Sequence, residues 1–356
     1  MQVLSAFDLT DRPVKAEMFG NGHINDTLKV TTEHGEAKYI LQRINHAIFT
    51  NVEMLQQNIR TVTTHIRRKL EARGEQDLDR KVLTFLPARD GRMFHFDGEY
   101  YWRVCMMIPH SRSYDGVDET LSYEAGKAFG DFQMMLSDLP EGALGETIPN
   151  FHNMEFRLQQ FRDAVKANPA GRLDRVADMV DAIEARVAAM CVQEDLYREG
   201  KLKKRTNHCD TKVNNILFDE RDGRVLCVID LDTVMPGFVL SDIGDFIRTG
   251  ANTGAEDDEN LDRVGVNMAI FKAYTRGYME TAKRFLTPLE KKMLPYGGRL
   301  LTYMQTVRFL TDYVNGDTYY KIHYPEHNLV RTKAQFKLLQ SLEEHAEEMD
   351  RFMDTV

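Results

Sequence analysis

A short segment of the chain carries polar residues whose types and spacing could perform chemistry. Asp210 follows His208 by two residues, Asn215 lies five residues further on, and Asp230 stands at the end of an apolar run. A positioned carboxylate can accept a proton from a hydroxyl group, and Mg²⁺ prefers hard oxygen ligands. The spacing therefore predicts a phosphoryl-transfer site, in which Asp210 accepts the proton of the acceptor while Asn215 and Asp230 bind Mg²⁺.

The residues between Asn215 and Asp230 predict two strands joined by a turn. Residues 216–218 and 225–229 are apolar, and the stretch between them contains an Asp-Gly pair. Asp-Gly between two apolar runs is a strong hairpin signal. A hairpin of this length would return Asp230 to the side of Asn215. Because a His-x-Asp triplet can occur by chance, the prediction depends on the three residues and the hairpin together.

The elements that must position this segment differ between the two parts of the chain. The first hundred residues contain five strand-like runs and an amphipathic helix over residues 50–73, for which Thr50 and Glu53 predict a capping box. Beyond residue 114, helical patterns dominate, among them residues 175–196, 261–285 and 329–353, and only the hairpin interrupts them. We therefore predict an α+β fold with two lobes: a small antiparallel sheet and one helix over residues 1–108, and a larger helical lobe with the hairpin over residues 109–356.

A glycine-containing segment near the N-terminus has the form of a loop that cradles phosphate. It runs Gly20-Asn21-Gly22-His23-Ile24-Asn25, which follows the pattern G-x-G-x-x-G except at its last residue. Glycines allow backbone N–H groups to approach phosphate oxygens, although Asn-Gly is also a strong hairpin signal. The two interpretations are compatible, because a phosphate loop can itself be a hairpin. The candidate nucleotide-binding residues in this region are Gly20, Asn21, Gly22, His23, Asn25 and Thr27.

These motifs together resemble a known superfamily. The chain resembles the aminoglycoside phosphotransferases and choline kinases, small-molecule relatives of protein kinases, in His208-Cys209-Asp210, Asn215 and Val228-Ile229-Asp230-Leu231-Asp232. With the glycine-containing segment, Tyr39-Ile40-Leu41-Gln42 and Tyr324-Pro325-Glu326-His327-Asn328-Leu329, it resembles the bacterial N-acetylhexosamine 1-kinases from about residue 19 to about residue 339. The resemblance implies a protein-kinase-like fold, ATP and Mg²⁺ as cofactors, and phosphorylation of the anomeric hydroxyl of GlcNAc or GalNAc.

The third strand lacks the lysine that protein kinases place on the α- and β-phosphates. Gln42 stands at this position without a charge, and Arg43 would point to the opposite face of a regular strand. We therefore expect Mg²⁺ and backbone amides to meet most of the phosphate charge, with Gln42 as a hydrogen-bonding residue. Pro109 ends the last strand, so the hinge is expected near residues 105–108, where backbone groups such as those of Met106 would meet the adenine edge.

The segment 308–328 is rich in side chains that suit a sugar. A sugar needs fixed hydrogen-bonding groups for its hydroxyls and an aromatic face for its C–H surface. The residues predicted to contact the acceptor are Asp210, Arg308, Asp317 and Tyr319. A turn at Asn315-Gly316 would bring Arg308 and Tyr319 together. The alternative is that the tyrosines pack the core and Arg308 forms a structural ion pair.

Further carboxylates surround the predicted site. Asp242 and Asp245 are expected to accept backbone N–H groups of the catalytic loop and to stiffen it. Asp232 is expected to bridge the metal or to contact it indirectly. The acidic run 256–259 reads as a solvated loop or helix start, although it could instead attract a cationic acceptor.

Composition limits the classes of protein to which the chain can belong. Its net charge of −9 argues against a nucleic-acid partner, and no apolar run approaches the roughly 20 residues that a membrane span needs. The first 15 residues lack the apolar region of a signal peptide, and the four cysteines lack C-x-x-C spacing. We therefore expect a cytoplasmic monomer or homodimer that acts on a small molecule.

Three functions are compatible with these observations. The first is an ATP-dependent N-acetylhexosamine 1-kinase. The second keeps the chemistry but changes the acceptor to an aminoglycoside, a choline-like or homoserine-like molecule, or another hexose. The third is a nucleotide-binding module without catalysis, which the missing strand lysine suggests. Asp210, Asn215 and Asp230 argue against the third function, because a pure binder needs no residue that orients a nucleophile.

Overall fold

The computed structural model describes residues 2–20 and 24–356, so the predicted phosphate-binding residues Asn21, Gly22 and His23 lie outside the described residues. The chain forms two compact units, each assembled from separate segments. The first unit comprises Met1–Tyr114, Phe132–Pro149 and Asn214–Pro236, and the second comprises Asp115–Asp131, Asn150–Val213 and Gly237–Val356. The hairpin thus packs within the first unit. The division into a small lobe over residues 1–108 and a larger lobe over residues 109–356 stays a prediction.

Strands are concentrated in the first unit and helices in the second, which confirms the predicted α+β class. Over the described residues, the strands are β1 (Pro13–Met18), β2 (Asp26–Thr32), β3 (Ala37–Ile44), β4 (Phe85–Leu86), β5 (His95–Phe96), β6 (Tyr101–Met106), β7 (Ser111–Arg112), β8 (Arg205–Asn207), β9 (Ile216–Asp219), β10 (Val225–Val228) and β11 (Met235–Gly237). The helices are α1 (Val52–Ala72), α2 (Leu78–Lys81), α3 (Glu119–Leu136), α4 (Met154–Ala167), α5 (Ala177–Glu184), α6 (Val187–Met190), α7 (Val192–Arg198), α8 (Val239–Gly250), α9 (Met268–Ala282), α10 (Pro288–Val314), α11 (His327–Glu344) and α12 (Ala346–Met353).

The first unit is built on an antiparallel sheet that has six strands in the described part of the chain. Its order is β1-β2-β3-β6-β4, and β5 also pairs with β6. The register sets Gln42 of β3 opposite Thr27 of β2 and opposite Arg103 of β6. These three side chains therefore share one face of the sheet. The sequence predicted one strand fewer, since it did not indicate the two-residue strand β4.

Helix α1 packs its apolar face into the core of the first unit. Leu55, Ile59 and Val62 are buried at helical spacing, as the sequence predicted. The predicted capping box is wrong, because the helix begins later and Asn51 caps it by accepting the backbone N–H of Met54 at 3.0 Å. Glu53 is exposed on the first turn.

The predicted hairpin is present in the first unit. β9 and β10 pair antiparallel with Val228 opposite Ile216, and β7 pairs with the other edge of β9. The turn between them needs a left-handed residue, which Gly223 supplies with a φ of 73°. The end of β10 therefore lies beside the start of β9.

The second unit is mainly helical, and α10 packs against α4, α8 and α11. Helices α8 and α10 approach so closely that a Cβ atom on Gly244 would lie 2.2 Å from the carbonyl oxygen of Gly297. A larger residue at either position would push the helices apart. These glycines therefore set the spacing between two helices that hold candidate functional residues.

Three predicted helices are divided in the second unit. Residues 175–196 form α5, α6 and α7, residues 329–353 form α11 and α12, and α9 begins only at Met268, after a separate 3-10 turn. The apolar periodicity continues across these breaks, so it did not reveal them. No helix in the ranges 2–20 and 24–356 combines the length and apolar character needed to cross a membrane.

Candidate active site

The loop that carries Asp210 is held by two carboxylates of α8. Asp242 accepts the backbone N–H groups of His208 and of the next residue, at 2.9 and 2.7 Å. Asp245 accepts the backbone N–H of Thr211 at 3.0 Å. Both carboxylates are buried, and hydrogen bonds from backbone N–H groups to an ionised carboxylate are strong. The expected role of Asp242 and Asp245 in stiffening this loop is confirmed.

Lys212 lies beside Asp210 and was not identified from the sequence. Its Nζ is 3.1 Å from Oδ1 of Asp210. The charge of Asp210, supported by Asp245 and Glu256, raises the pKa of Lys212 above its usual value despite burial and the repulsion of Arg248. Lys212 is therefore a fixed positive charge next to the predicted proton acceptor. The sequence feature that could have identified Lys212 is its position two residues after Asp210.

The predicted metal ligands Asn215 and Asp230 belong to the two ends of the hairpin. The backbone N–H of Ile229, next to Asp230, donates to the carbonyl oxygen of Asn215 at 2.9 Å, so the backbones of these ends meet as predicted. In the described residues, no group of three or more His, Cys, Asp or Glu side chains is arranged to hold a metal. A pair of oxygen donors fits Mg²⁺, which usually takes one or two carboxylates and completes its coordination with water and substrate phosphates. The metal-binding roles stay predictions.

Asp232 is held within the protein. Its Oδ1 accepts a hydrogen bond from Nη1 of Arg103 at 2.5 Å, and its Oδ2 accepts one from Nη2 at 2.9 Å. Oδ2 also accepts a hydrogen bond from Nδ2 of Asn25 at 2.5 Å. The side chains of Arg103 and Asp232 are each 3% exposed. Both carboxylate oxygens are engaged by protein groups, which favours an indirect role over direct metal bridging.

The candidate nucleotide-binding side chains in the first unit hydrogen bond to one another. Gln42 donates from Nε2 to Oγ1 of Thr27 at 3.1 Å, and its Oε1 accepts from Nε of Arg103 at 2.9 Å. Oδ1 of Asn25 accepts the backbone N–H of Asn45 at 2.9 Å. These contacts order the residues but occupy part of their hydrogen-bonding capacity. Their contacts with a nucleotide stay predictions.

Two backbone positions bear on the predicted nucleotide contacts. Gly20 has a φ of 74°, the left-handed conformation that glycine tolerates, which is compatible with both a phosphate loop and a hairpin turn. The backbone N–H of Met106 donates to the carbonyl oxygen of Thr84 at 2.8 Å. Because this N–H is already bonded, the predicted adenine contact of Met106 would have to use another backbone group of the hinge.

On the acceptor side, the structure brings Arg308 and Tyr319 together. The guanidinium carbon of Arg308 lies 5.4 Å from the ring centre of Phe151, 6.0 Å from that of Tyr319 and 5.5 Å from that of Tyr320. Its Nη1 donates to Oε1 of Gln305 at 3.1 Å. Gly316, with a φ of 90°, allows the reversal predicted at Asn315-Gly316. Arg308, Phe151, Tyr319 and Tyr320 are called the acceptor cluster below.

Asp312 fixes the chain segment that carries the tyrosines. Its carboxylate accepts the backbone N–H groups of Thr318, Tyr319 and Tyr320 at 2.9, 2.8 and 2.9 Å. It also accepts a hydrogen bond from Nδ2 of Asn328 at 2.9 Å. Tyr319 is nevertheless 60% exposed, which leaves its ring accessible to a ligand.

Asp317, predicted to contact the acceptor, is engaged elsewhere. Its Oδ2 lies 2.5 Å from Nη1 of Arg172, and its Oδ1 accepts from Nδ2 of Asn328 at 2.9 Å. The carboxylate side chain is 5% exposed. These contacts indicate that Asp317 stabilises the turn, and its contact with an acceptor stays a prediction.

His152 was missed by the sequence analysis, because no pattern marks it. Its ring stacks on that of Phe151 with centres 4.4 Å apart, and its buried Nδ1 has no hydrogen-bond partner among the described residues. Burial and the positive charges of Arg308 and Arg157 lower the pKa of His152 to about 3, although Asp210 opposes this shift. The imidazole is therefore neutral at ordinary pH and can serve as a hydrogen-bonding group.

Two carboxylates of the acidic run 256–259 have partners in the second unit. Glu256 lies 2.5 Å from Nη1 of Arg248, and Asp257 lies 2.8 Å from Nε2 of the buried His327. Arg248 in turn contacts Asp245 at 2.9 Å. These contacts tie the acidic run to α8 and α11, while Glu256, Asp257 and Glu259 stay exposed, as expected for a solvated loop.

An antiparallel sheet with one long helix, a helical unit and an Asp-bearing loop followed by a hairpin define a protein-kinase-like fold. The model of the phosphotransferase enzyme family matches residues 15–278. The chain therefore belongs to the phosphotransferase enzyme family.

Solved structures with low sequence identity share this fold. An aminoglycoside phosphotransferase from Alicyclobacillus acidocaldarius is 13% identical, with a TM-score of 0.61 over 100% of this chain and 96% of that one. Spectinomycin phosphotransferase in complex with ADP and spectinomycin is 13% identical, with a TM-score of 0.59 over 96% and 97%. An ethanolamine kinase from Plasmodium vivax is 14% identical, with a TM-score of 0.56 over 90% and 82%. At such identities, the likeness shows the fold alone.

Proposed function

We propose that the protein is an ATP-dependent kinase that phosphorylates the anomeric hydroxyl of an N-acetylhexosamine such as GlcNAc or GalNAc. The observation that carries this proposal is the acceptor cluster, in which the guanidinium of Arg308 lies among three aromatic rings. Aromatic rings pack against the C–H face of a sugar, and a guanidinium donates to hydroxyl oxygens. The resemblance of the motifs to N-acetylhexosamine 1-kinases supports the same acceptor.

Nucleotide use is supported by the family and by a relative's bound ligand. The chain is a member of a phosphotransferase family, and the spectinomycin phosphotransferase of similar fold was crystallised with ADP. Asn215 and Asp230 would hold Mg²⁺, which neutralises phosphate charge when bound. ATP would therefore be the phosphoryl donor.

The proposed reaction assigns separate tasks to Asp210 and Lys212. The anomeric oxygen forms a bond to the γ-phosphorus as the bond from that phosphorus to the bridging oxygen of ADP breaks. Asp210 orients the hydroxyl and accepts its proton. Lys212, 3.1 Å from Asp210, supplies a positive charge that favours the ionised carboxylate and attracts the transferred phosphoryl group. This charge would compensate in part for the missing strand lysine.

The charges of the second unit favour a neutral acceptor over a cationic one. Arg308 and Arg157 form no ion pair with a carboxylate in the described ranges, and burial together with Arg308 lowers the pKa of Arg157 to about 10. Glu256 and Asp257, the residues considered for a cationic acceptor, already contact Arg248 and His327. An aminoglycoside or choline would therefore meet positive charge, while these two carboxylates are engaged by protein groups.

The proposal is tested by measuring ADP release with ATP, Mg²⁺ and a panel of acceptors. The panel contains GlcNAc, GalNAc, glucose, galactose, an aminoglycoside, choline and homoserine. We expect the highest kcat/KM with an N-acetylhexosamine, and NMR of the product should place phosphate on C1. Turnover only with a cationic acceptor would overturn the proposal. ATP binding without ADP release from any acceptor would support the non-catalytic alternative.

A further inference from the structure

The first unit contains a buried arginine, Arg103, next to the third-strand position at which this chain lacks the lysine of protein kinases. Arg103 of β6 stands directly opposite Gln42 of β3, the position at which protein kinases carry that lysine. Nε of Arg103 donates to Oε1 of Gln42 at 2.9 Å. A positive charge is therefore present at this place in the sheet, supplied from the neighbouring strand.

The side chain of Arg103 is buried and points toward the segment that follows the predicted metal ligand Asp230. Its two terminal nitrogens bind both oxygens of Asp232, two residues after the predicted metal ligand Asp230. Burial by itself lowers the pKa of Arg103, but the attraction and hydrogen bonds of Asp232 outweigh it and raise that pKa. With a side chain that is 3% exposed, Arg103 acts on neighbouring side chains and not on a ligand.

The same ion pair reaches the end of the glycine-containing segment. Asp232 accepts a hydrogen bond from Asn25, which immediately precedes β2, and Asn25 accepts the backbone N–H of Asn45 just after β3. One guanidinium–carboxylate pair thus joins three parts of the first unit: the third strand, the start of β2 and the segment after Asp230. Each contact is made by a different atom or lone pair, so the contacts coexist.

The backbone at Asp230 explains why such an anchor is needed. Asp230 has a φ of 58° and a ψ of 58°, and a short 3-10 turn over Leu231–Thr233 follows it. A non-glycine residue in the left-handed region is strained and persists only where surrounding contacts enforce it. Asp232 lies within that turn, so the bidentate bond from Arg103 restrains the backbone next to Asp230.

We propose that Arg103 is a positioning residue for the nucleotide and metal site, which through Asp232 and Asn25 holds the Asp230 segment against the start of β2. It supplies from β6 a positive charge beside the third-strand position that holds a lysine in protein kinases, but this charge is paired with Asp232. Because Arg103 binds both carboxylate oxygens of Asp232, Asp232 has a structural role that differs from the predicted metal-binding role of Asp230. This inference rests on the proposed use of nucleotide and Mg²⁺, but not on the identity of the acceptor.

The test measures ADP binding by calorimetry over a series of Mg²⁺ concentrations, with no acceptor present. Arg103→Met should weaken Mg²⁺-dependent ADP binding by roughly 10- to 100-fold, the usual effect of removing a residue that orients a metal ligand. ADP binding without Mg²⁺ should change much less. Arg103→Lys keeps the charge but loses the bidentate geometry, so its effect should be intermediate. Arg92→Met, which removes an exposed pairing with Asp90 in the same unit, is the matched control.

The double variant Arg103→Met with Asp232→Asn shows whether Arg103 acts by positioning Asp232 or only through its positive charge. If the two residues act as one unit, the double variant should lose no more Mg²⁺-dependent affinity than Arg103→Met alone. Unfolding temperatures are recorded for every variant, and binding is measured well below them. A lower unfolding temperature with unchanged Mg²⁺-dependent ADP affinity would overturn the inference, since the pair would then only stabilise the fold. If Arg103→Met fails to fold, unchanged affinity in Arg103→Lys would overturn it equally.

This experiment also distinguishes the inference from the proposed function. Binding of Mg²⁺ and ADP by the unsubstituted protein, without turnover of any hexosamine, would overturn the proposed acceptor and leave the role of Arg103 intact. Failure of the unsubstituted protein to bind ADP with Mg²⁺ would overturn both.

Discussion

Two arginines, Arg103 in the first unit and Arg308 in the second, differ in how the protein balances their positive charge. In the first unit, Arg103 is matched by Asp232 and hydrogen bonded to Gln42, so its charge is neutralised within the protein. In the second unit, Arg308 lies among aromatic rings and donates a hydrogen bond to the neutral side chain of Gln305. The first arrangement fixes the positions of other residues. The second leaves donors available for a ligand, and four substitutions test this contrast.

The largest effect is expected when the proposed proton acceptor, Asp210, is removed. Asp210→Asn should lower kcat by roughly 10²- to 10⁴-fold, because an amide cannot accept the proton of the hydroxyl. ADP affinity should be retained. Steady-state kinetics and calorimetry measure the two quantities, with Asp222→Asn in the exposed hairpin turn as the control. An Asp210→Asn variant that retained normal kcat would remove Asp210 from the mechanism.

Arg308→Met sharpens the contrast on the acceptor side. It should raise the KM for the acceptor by roughly 10- to 100-fold, because hydrogen bonds from a charged donor contribute about 1.5–3 kcal/mol. ADP affinity should not change, in contrast with Arg103→Met. The control is Arg276→Met, which removes another arginine above an aromatic ring, 5.1 Å from the ring centre of Phe352. Equal KM values for the two variants would contradict a ligand-binding role for Arg308.

Asp312→Asn tests whether the acceptor cluster depends on its anchor. Loss of the charge weakens hydrogen bonds to three backbone N–H groups, so the free energy of unfolding should fall by about 2 kcal/mol. The KM for the acceptor should rise, because Tyr319 is displaced, while ADP affinity stays the same. Urea denaturation and kinetics measure these effects, with exposed Asp350→Asn as the control. Lower stability with an unchanged KM would show that Asp312 stabilises the fold but does not contribute to acceptor binding.

The last prediction concerns the dependence of stability on pH. The pKa of His152 is lowered to about 3 in the folded protein, below its ordinary value, so the unfolded chain binds the proton first as pH falls. The stability contributed by neutral His152 is therefore complete above its unfolded pKa. It is lost as pH falls from there toward the folded value, by about 1.4 kcal/mol per pH unit.

Comparison of His152→Gln with the unsubstituted protein isolates this contribution. Denaturation at pH 7.5 and pH 5 should show a smaller loss of unfolding free energy in the variant, and exposed His34→Gln should behave like the unsubstituted protein. The same loss in both proteins would show that His152 is not held neutral. It would also weaken the description of the acceptor side as a positively charged environment.

Much of the fold was predictable, because its signals are local. The spacing of Leu55, Ile59 and Val62 predicted the long helix, and the Asp-Gly turn predicted the hairpin that brings the backbones of Asn215 and Asp230 together. Helix ends were less predictable, since apolar periodicity continued through the breaks in 175–196. The helix start was assigned to the wrong residue because Thr50 and Asn51 are both good caps, and only the backbone conformation selects between them.

Contacts between distant residues account for what the sequence did not reveal. Arg103 and Asp232 are 129 positions apart, and no spacing rule connects a cation on β6 with the turn after the hairpin. Nothing in the sequence indicated that Arg172, 145 positions away, would pair with Asp317, whose contact with an acceptor stays a prediction. His152 carried no pattern at all.

The sequence by itself determined the class of chemistry, because the catalytic loop and hairpin are one continuous segment whose residue types and spacing are set along the chain. It also determined that Asp242 and Asp245 would hold this loop. Only the tertiary structure decided which partners the buried carboxylates have, because a buried carboxylate is stable only with partners, and those partners come from distant strands and helices. Asp232 is thereby committed to Arg103 and Asp317 to Arg172, while Arg308 retains donors for a ligand.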